Sequence, residues 1–268
     1  RLQGVLRLSR AAAAVTLMIE GIGAALLAVR FVPQFGWGQG IWCAVFHSVS
    51  AFCNAGFDLM GSYRSLTGYT GDWLVNLVII ALIALGGVGF SVLLRLGKRR
   101  LNLHARLVLM ATPVLLLGGG ILITLLEYDN PATMGTLSAG EKWLAGLFQS
   151  ATLRTAGFNT IDLGAMTGMS KAASMLLMFI GGSSGSTAGG IKTVTFGLLV
   201  IAAFRVARGS KDVVVMKRRV DTGMLLRALS ITVISLMVIC LGAFLIALVD
   251  GLTFEDVLFE TFSAFGTV

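Results

Sequence analysis

Phe46–Leu59 reads FHSVSAFCNAGFDL, Phe148–Leu163 reads FQSATLRTAGFNTIDL and Phe259–Val268 reads FETFSAFGTV. The first two share Ala-Gly-Phe, at Gly56 and Gly157, and Ser263-Ala264-Phe265 of the third matches Ser50-Ala51-Phe52 of the first. Each stretch closes a short apolar segment, over 40–52, 141–153 and 254–265. A bilayer core takes about 20 residues of helix, so these segments are too short to cross it and suit re-entrant helices. Around them lie five longer apolar segments, 11–31, 73–96, 105–127, 171–204 and 223–249. The order predicts a repeated unit of span, short helix, glycine loop and span.

Composition agrees with a membrane setting. Apolar residues make up 56% of the 268 and charged residues only 13%, half the charge density of a soluble globular chain, about 25%. That excludes a water-facing surface all round. The expected fold class is an all-α polytopic membrane protein with tandem span–pore-helix–span repeats around a central ion pore. The net charge of +8 points to cytoplasmic loops and lipid headgroups, with no nucleic acid partner. Basic residues gather in three places: Arg1, Arg7 and Arg10; Arg95, Lys98, Arg99, Arg100 and Arg106; and Arg205, Arg208, Lys211, Lys217, Arg218, Arg219 and Arg227. Most acidic residues, among them Asp58, Asp72, Glu127, Glu141, Asp250, Asp256 and Glu260, fall on the other side of the spans. By the positive-inside rule the N-terminus is cytoplasmic and all three short helices lie on the outer side.

A pore follows from the physics of the repeat. Non-helical backbone at membrane depth is tolerated only when buried in protein or lining a watery cavity. A short helix that stops there aims its C-terminal carbonyls at the membrane centre. The loop returning outward can offer backbone carbonyls to a dehydrated cation, and glycine permits the dihedral angles this needs.

The stretches CNAGF (53–57), RTAGFN (154–159), MFIGGSSGSTAGGIKT (178–193) and ETFSAFGTV (260–268) resemble the Trk/Ktr/HKT superfamily of potassium transporters, in particular the bacterial Ktr membrane subunit of the KtrB or NtpJ type. The likeness covers essentially the whole chain. It implies four repeats around one ion path, of which this chain carries the second (1–103), the third (104–221) and the start of the fourth (222–268), so the sequence reads as a piece of a longer protein. It also implies potassium ion uptake across the plasma membrane through a selectivity filter. The implied filter residues are Cys53, Asn54, Ala55 and Gly56; Thr155, Ala156 and Gly157; and Gly266, Thr267 and Val268. Cys53 departs from the Asn common in the family, and Leu153 from a common Pro.

The Gly/Ser run at 181–190 interrupts the fourth span. It is not a phosphate-binding loop, because Ile191 separates Gly190 from Lys192 and no strand–loop–helix context surrounds it. A flexible packing kink is the plain reading. The resemblance implies an intramembrane gate, with Ser183, Ser184, Gly185, Ser186, Thr187, Gly189, Gly190 and Lys192 barring the path by hydrogen bonds to neighbouring backbone. Glu20, a charge inside a span, is expected to pair with a basic residue or backbone of a neighbouring helix. Arg154 is expected to brace the filter loop, and His47 to pack within its short helix. Gly86-Gly87-Val88-Gly89 and Gly118-Gly119-Gly120 read as packing and bending points, and Pro113 as a kink.

Other function classes fit less well. An enzyme in the membrane would need a nucleophile–base pair or metal ligands, and Cys43, Cys53, Cys240, His47 and His104 form no such set. A carrier with inverted repeats would alternate in orientation, whereas these repeats are parallel. A sodium/potassium-permeable transporter of the same fold is the nearer alternative. By resemblance, no cofactor is expected; K+ is the transported ion, with Na+ as a candidate coupling or activating ion. The expected partners are a second copy in a homodimer, a cytoplasmic RCK-type nucleotide-binding subunit and the lipid bilayer.

Overall fold

A computed structural model describes residues 2–95, 101–210, 213–215, 218–249 and 251–268. Arg1, Lys98, Arg99, Arg100, Lys211, Lys217, Asp250 and the end of the expected 73–96 span lie outside them. The architecture is all-helical apart from one small hairpin. The helices are α1 (Leu2–Phe35), α2 (Trp37–Phe52), α3 (Trp73–Val88), α4 (Phe90–Leu93), α5 (Leu103–Glu127), α6 (Ala139–Thr152), α7 (Gly168–Phe179), α8 (Thr193–Ala207), α9 (Thr222–Val249) and α10 (Phe254–Gly266). Strands β1 (Val214–Val215) and β2 (Arg218–Arg219) pair antiparallel.

Among the described residues, α1, α5 and α9 are long and apolar enough to cross a membrane. Their outward faces are apolar: Leu17, Leu125 and Met237 are all well exposed. In water such faces would be costly, whereas lipid accepts them. The other two expected spans are interrupted. Helix α3 stops at Val88, where Gly89 takes φ 90°, and only the short α4 follows. Helices α7 and α8 flank the Gly/Ser run. Both breaks fall on glycines, which populate positive φ without steric cost and are poor helix formers. Pro113 lies within the continuous α5.

Local chemistry sets the helix starts. Asp72, Asn102, Thr167 and Thr253 each accept from the backbone N–H three residues on, which satisfies donors that a helix leaves open. Ser138 and Glu141 form a capping box for α6 and, through the Ser138 hydrogen bonds, hold the Glu141 carboxyl below the usual carboxylate range. Gly36, at φ 79°, turns the chain from α1 into α2.

The pairs α1–α2 and α5–α6 pack alike. A Cβ on Gly23 of α1 would come 2.5 Å from Ser48 Oγ of α2. A Cβ on Gly119 of α5 would come 2.3 Å from Ser150 Oγ of α6. Each long helix thus receives its short helix at a glycine notch. One core joins α1, α2, α3 and α6 through Phe31, Phe52, Ile79, Phe148 and Phe158. A second joins α5, α6, α7 and the following loops through Ile123, Leu153, Ile161 and Met178. Phe179 of α7 stacks on Phe265 of α10, bringing the third short helix to the same centre. The hairpin is pinned by Val213 and Val215 against Leu198, with Leu103 and Leu107 beside them.

Candidate ion path and gating loop

The three glycine loops converge. A Cβ added to Gly56 would lie 2.1 Å from Ala156 O and 3.0 Å from Gly157 Cα. One added to Gly157 would lie 3.1 Å from the carbonyl carbon of Val268 and 3.7 Å from Gly56 Cα. Three stretches far apart in sequence therefore meet backbone to backbone, with no room for a side chain.

Their backbones share a pattern. Asn54 (φ 53°) and Gly56 (φ 70°) are left-handed, as are Thr155 (φ 87°) and Gly157 (φ 92°), while Ala55 and Ala156 between them are not. Thr267 (φ 58°) holds the matching place in the third loop. Alternating hand can turn successive carbonyls to one side, whereas a regular strand sends them to opposite sides. Asn tolerates this region, but a β-branched Thr at positive φ is an outlier costing about 1–3 kcal/mol. Thr155 is fully buried and its hydroxyl has no hydrogen-bond partner among the described residues, so bonding to them does not explain its conformation.

Each loop is tied back to its own helix. Ser50 Oγ donates to Phe57 O at 2.8 Å, Thr152 Oγ1 to Phe158 O at 2.6 Å and Ser263 Oγ to Val268 O at 2.7 Å. The buried His47 does more than pack. Its Nδ1 lies 2.7 Å from Cys43 O, which can only accept, so Nδ1 carries the proton and Nε2 can accept from Leu59 N at 3.4 Å. His47 also stacks on Phe158 of the second loop.

The Gly/Ser run lies against the first and third loops. Asn54 Nδ2 donates to Thr187 Oγ1 at 2.9 Å, and Thr187 Oγ1 donates to Phe52 O at 3.2 Å. A Cβ on Gly189 would meet Thr267 Oγ1 at 2.3 Å. Gly185 (φ 76°) and Gly190 (φ 63°) supply the turns. The run also bonds to the break in α3: Ser183 N donates to Gly87 O at 2.8 Å and Phe90 N to Gly185 O at 3.1 Å. Its neck is closed by a parallel bridge between Ile180 and Ile191. Lys192 Nζ donates to Ala188 O at 2.6 Å, so the ammonium is bound to the loop itself.

The hydroxyls expected to reach neighbouring backbone divide. Thr187 does so. Ser186 Oγ instead donates to Ser183 O at 2.6 Å within the run, and Ser183 Oγ lies 3.3 Å from His104 Nε2 at the start of α5. The His104 contact was not visible in sequence, where 79 residues separate the two side chains. The expected basic partner of Glu20 is absent among the described residues. The Glu20 carboxyl is approached by the Cys53 thiol, at 3.8 Å, while its backbone carbonyl accepts from Ser48 Oγ. Among the described residues no group of three or more His, Cys, Asp or Glu is placed to hold a metal.

Comparison with known proteins shows the family. Residues 2–268 match TrkH, a family described as cation transport protein. The chain is 41% identical over 269 residues to Ktr system potassium uptake protein B of Bacillus subtilis, covering 99% of this chain and 60% of the relative. It is 43% identical to the protein of that name from Vibrio alginolyticus, over 94% and 56% respectively. It is 37% identical to potassium/sodium uptake protein NtpJ of Enterococcus hirae, over 100% and 60%. The chain thus spans about three-fifths of the length of these relatives. The crystal structure of the potassium transporter TrkH from Vibrio parahaemolyticus superposes with a TM-score of 0.77, covering 98% of this chain and 62% of that one at 16% identity, which shows a shared fold. With the family matched along nearly its whole length and these relatives above 30% identity, the chain belongs to the TrkH family of cation transport proteins.

Proposed function

We propose that this chain forms much of the wall of a potassium uptake path. In this reading the backbone around Asn54–Gly56, Thr155–Gly157 and Gly266–Val268 replaces the hydration shell of K+. The observation that carries it is the close approach of Gly56 to Ala156 O and of Gly157 to Val268, at 2.1 and 3.1 Å from the sites where a Cβ would stand. The loop 181–190 acts as the gate, held against the filter by Asn54–Thr187 and Gly189–Thr267. The E. hirae relative is a potassium/sodium uptake protein, and this favours, as the second reading, a path that also admits Na+.

The wider assembly belongs to the same proposal. The basic clusters orient the chain with its N-terminus in the cytoplasm. The name Ktr system, carried by two of the relatives, favours a multi-component transporter. Here that would be a homodimer with a cytoplasmic RCK-type nucleotide-binding subunit beneath the basic hairpin. No cofactor is assigned to the chain itself.

The test is rubidium and sodium uptake into proteoliposomes by the full-length protein, with and without its regulatory subunit. Shortening 184–189 is expected to raise rubidium flux and lessen its dependence on the regulator, with selectivity kept. A folded, shortened protein that stays shut without the regulator would refute the gate.

A further inference from the structure

Arg154 stands one residue before the left-handed Thr155, and it is only 7% exposed. Among the described residues no carboxylate pairs with it. Its Nε has no hydrogen-bond partner among the described residues. The side chain lines a small cavity with Ile83, Ala84, Gly87, Leu116 and Ala151, of ≈ 10 Å³, about the room of one water. A buried guanidinium without a counter-charge is costly to keep, so a packing role alone would be better served by an apolar side chain.

The side-chain hydrogen bond of Arg154 is informative. Nη2 donates to Thr193 Oγ1 at 3.3 Å. Thr193 opens α8 and is 2% exposed. Its hydroxyl donates to Gly181 O at 2.6 Å and its backbone N–H to Gly182 O at 3.0 Å. Thr193 therefore stitches the two ends of the Gly/Ser loop together, and Arg154 holds that stitch from the second glycine loop. Gly87, which shares the cavity with Arg154, accepts from Ser183 N of the same run. The guanidinium sits where the second filter stretch, the break in α3 and the neck of the gating loop meet.

We propose that Arg154 is a positioning residue that couples the filter to the gate. The inference rests on the reading of path and gate given above. Because Arg154 grips the closed neck, the loop cannot swing without pulling on the backbone before Thr155. Conversely, an ion that orders the second filter stretch steadies the neck. The two states are linked through Thr193, and the linkage acts equally in both directions.

The experiment uses the full-length transporter with its regulatory subunit in proteoliposomes, measuring rubidium and sodium uptake. The variants are Arg154→Lys, Arg154→Gln, Thr193→Val and the double variant Arg154→Gln/Thr193→Val. Thr193→Val keeps the shape and the nearby charge but removes both the acceptor for Arg154 Nη2 and the donor to Gly181 O. It is expected to change the rubidium-to-sodium uptake ratio and the dependence on the regulator together, each by roughly tenfold or more, as for loss of a hydrogen bond to a charged group. Arg154→Gln should do the same, Arg154→Lys should recover part of both, and the double variant should be no worse than the worse single one.

Additive effects in the double variant would overturn the coupling. So would a selectivity change in Arg154→Gln that Thr193→Val does not share, which would assign Arg154 to its electric field alone. If Arg154→Gln does not fold, Thr193→Val decides: wild-type uptake in both readouts overturns the proposal. If the unaltered transporter carries no rubidium, the reading of the path fails; rubidium uptake with a silent Thr193→Val sinks only the coupling.

Discussion

The side-chain amide of Asn54 donates to the hydroxyl of Thr187 at 2.9 Å, across 133 residues of sequence. Asn54 itself is left-handed, at φ 53°, so the bond reaches from a residue whose backbone forms the first glycine loop to the middle of the Gly/Ser run. Thr187 passes the bond on to Phe52 O at 3.2 Å. Thr187→Val removes both links without changing side-chain shape. Two neutral hydrogen bonds of about 1 kcal/mol each would then cease to hold the loop. Rubidium uptake in the absence of the regulator is expected to rise on the order of tenfold. Unaltered uptake by a well-folded variant would show that the loop is held elsewhere.

Gly56→Ala should reduce the preference for potassium over sodium. The added methyl would stand 2.1 Å from Ala156 O, and the residue would be left at φ +70°. Gly61→Ala separates these two causes. Its φ is +74°, yet no described residue lies within 4 Å of its Cβ site. It should cost about 1–2 kcal/mol of stability from backbone strain alone and leave relative sodium and rubidium fluxes near those of the parent. Equal selectivity in both variants would remove Gly56 from the path.

Glu127 is fully buried at the end of α5. Its carboxyl accepts from Asn130 Nδ2, Thr133 Oγ1, Thr167 N and Thr167 Oγ1. An amide would turn one acceptor into a donor facing other donors. Glu127→Gln is expected to destabilise the protein by about 1.5–3 kcal/mol, seen as a lower thermal midpoint in detergent. An unchanged midpoint would mean that water replaces the lost bonds.

The start of α10 should respond to acid. Asp256 accepts from Thr253 Oγ1 and from Lys171 Nζ, and these bonds, the Thr253 one foremost, hold its carboxyl below the usual carboxylate range. A folded-state value below the unfolded one gives stability that is present above about pH 4 and lost as the pH falls through the folded value. Thermal midpoints of the parent and of Asp256→Asn should therefore differ over about pH 5–8 and converge only as the pH falls from about 4 through the lower folded-state value. A difference that persists at low pH would point to packing instead of ionisation.

The glycine loops were legible in sequence because the backbone itself needs their residue types. Left-handed φ at Gly56 and Gly157 and the near contact of their backbones leave little choice of side chain. The interrupted fourth span was legible for a related reason, since a run rich in Gly and Ser is a poor helix former. The break in α3 was read only as a bend. Four residues at Gly86–Gly89 do not distinguish a kink from a full stop; their partner, the Gly/Ser run, does. Glu20 misled because the cost of a charge in a span suggests a salt bridge, whereas the fold offers the Cys53 thiol. Contacts such as Ser183–His104 and Arg154–Thr193 depend on how separate helices dock, which periodicity does not encode.

The halt of α3 at Val88 and the gap between α7 and α8 complete one another. Ser183 N takes the Gly87 carbonyl, and Gly185 O takes the Phe90 amide. Each gap frees backbone groups that lipid cannot satisfy, and each supplies the groups that the other is missing. A change that healed one helix into a straight rod would strand polar groups in the other. Lineages of this chain would therefore have to gain or lose the two interruptions jointly, and residues 87–90 and 183–185 should drift through evolution as a single character.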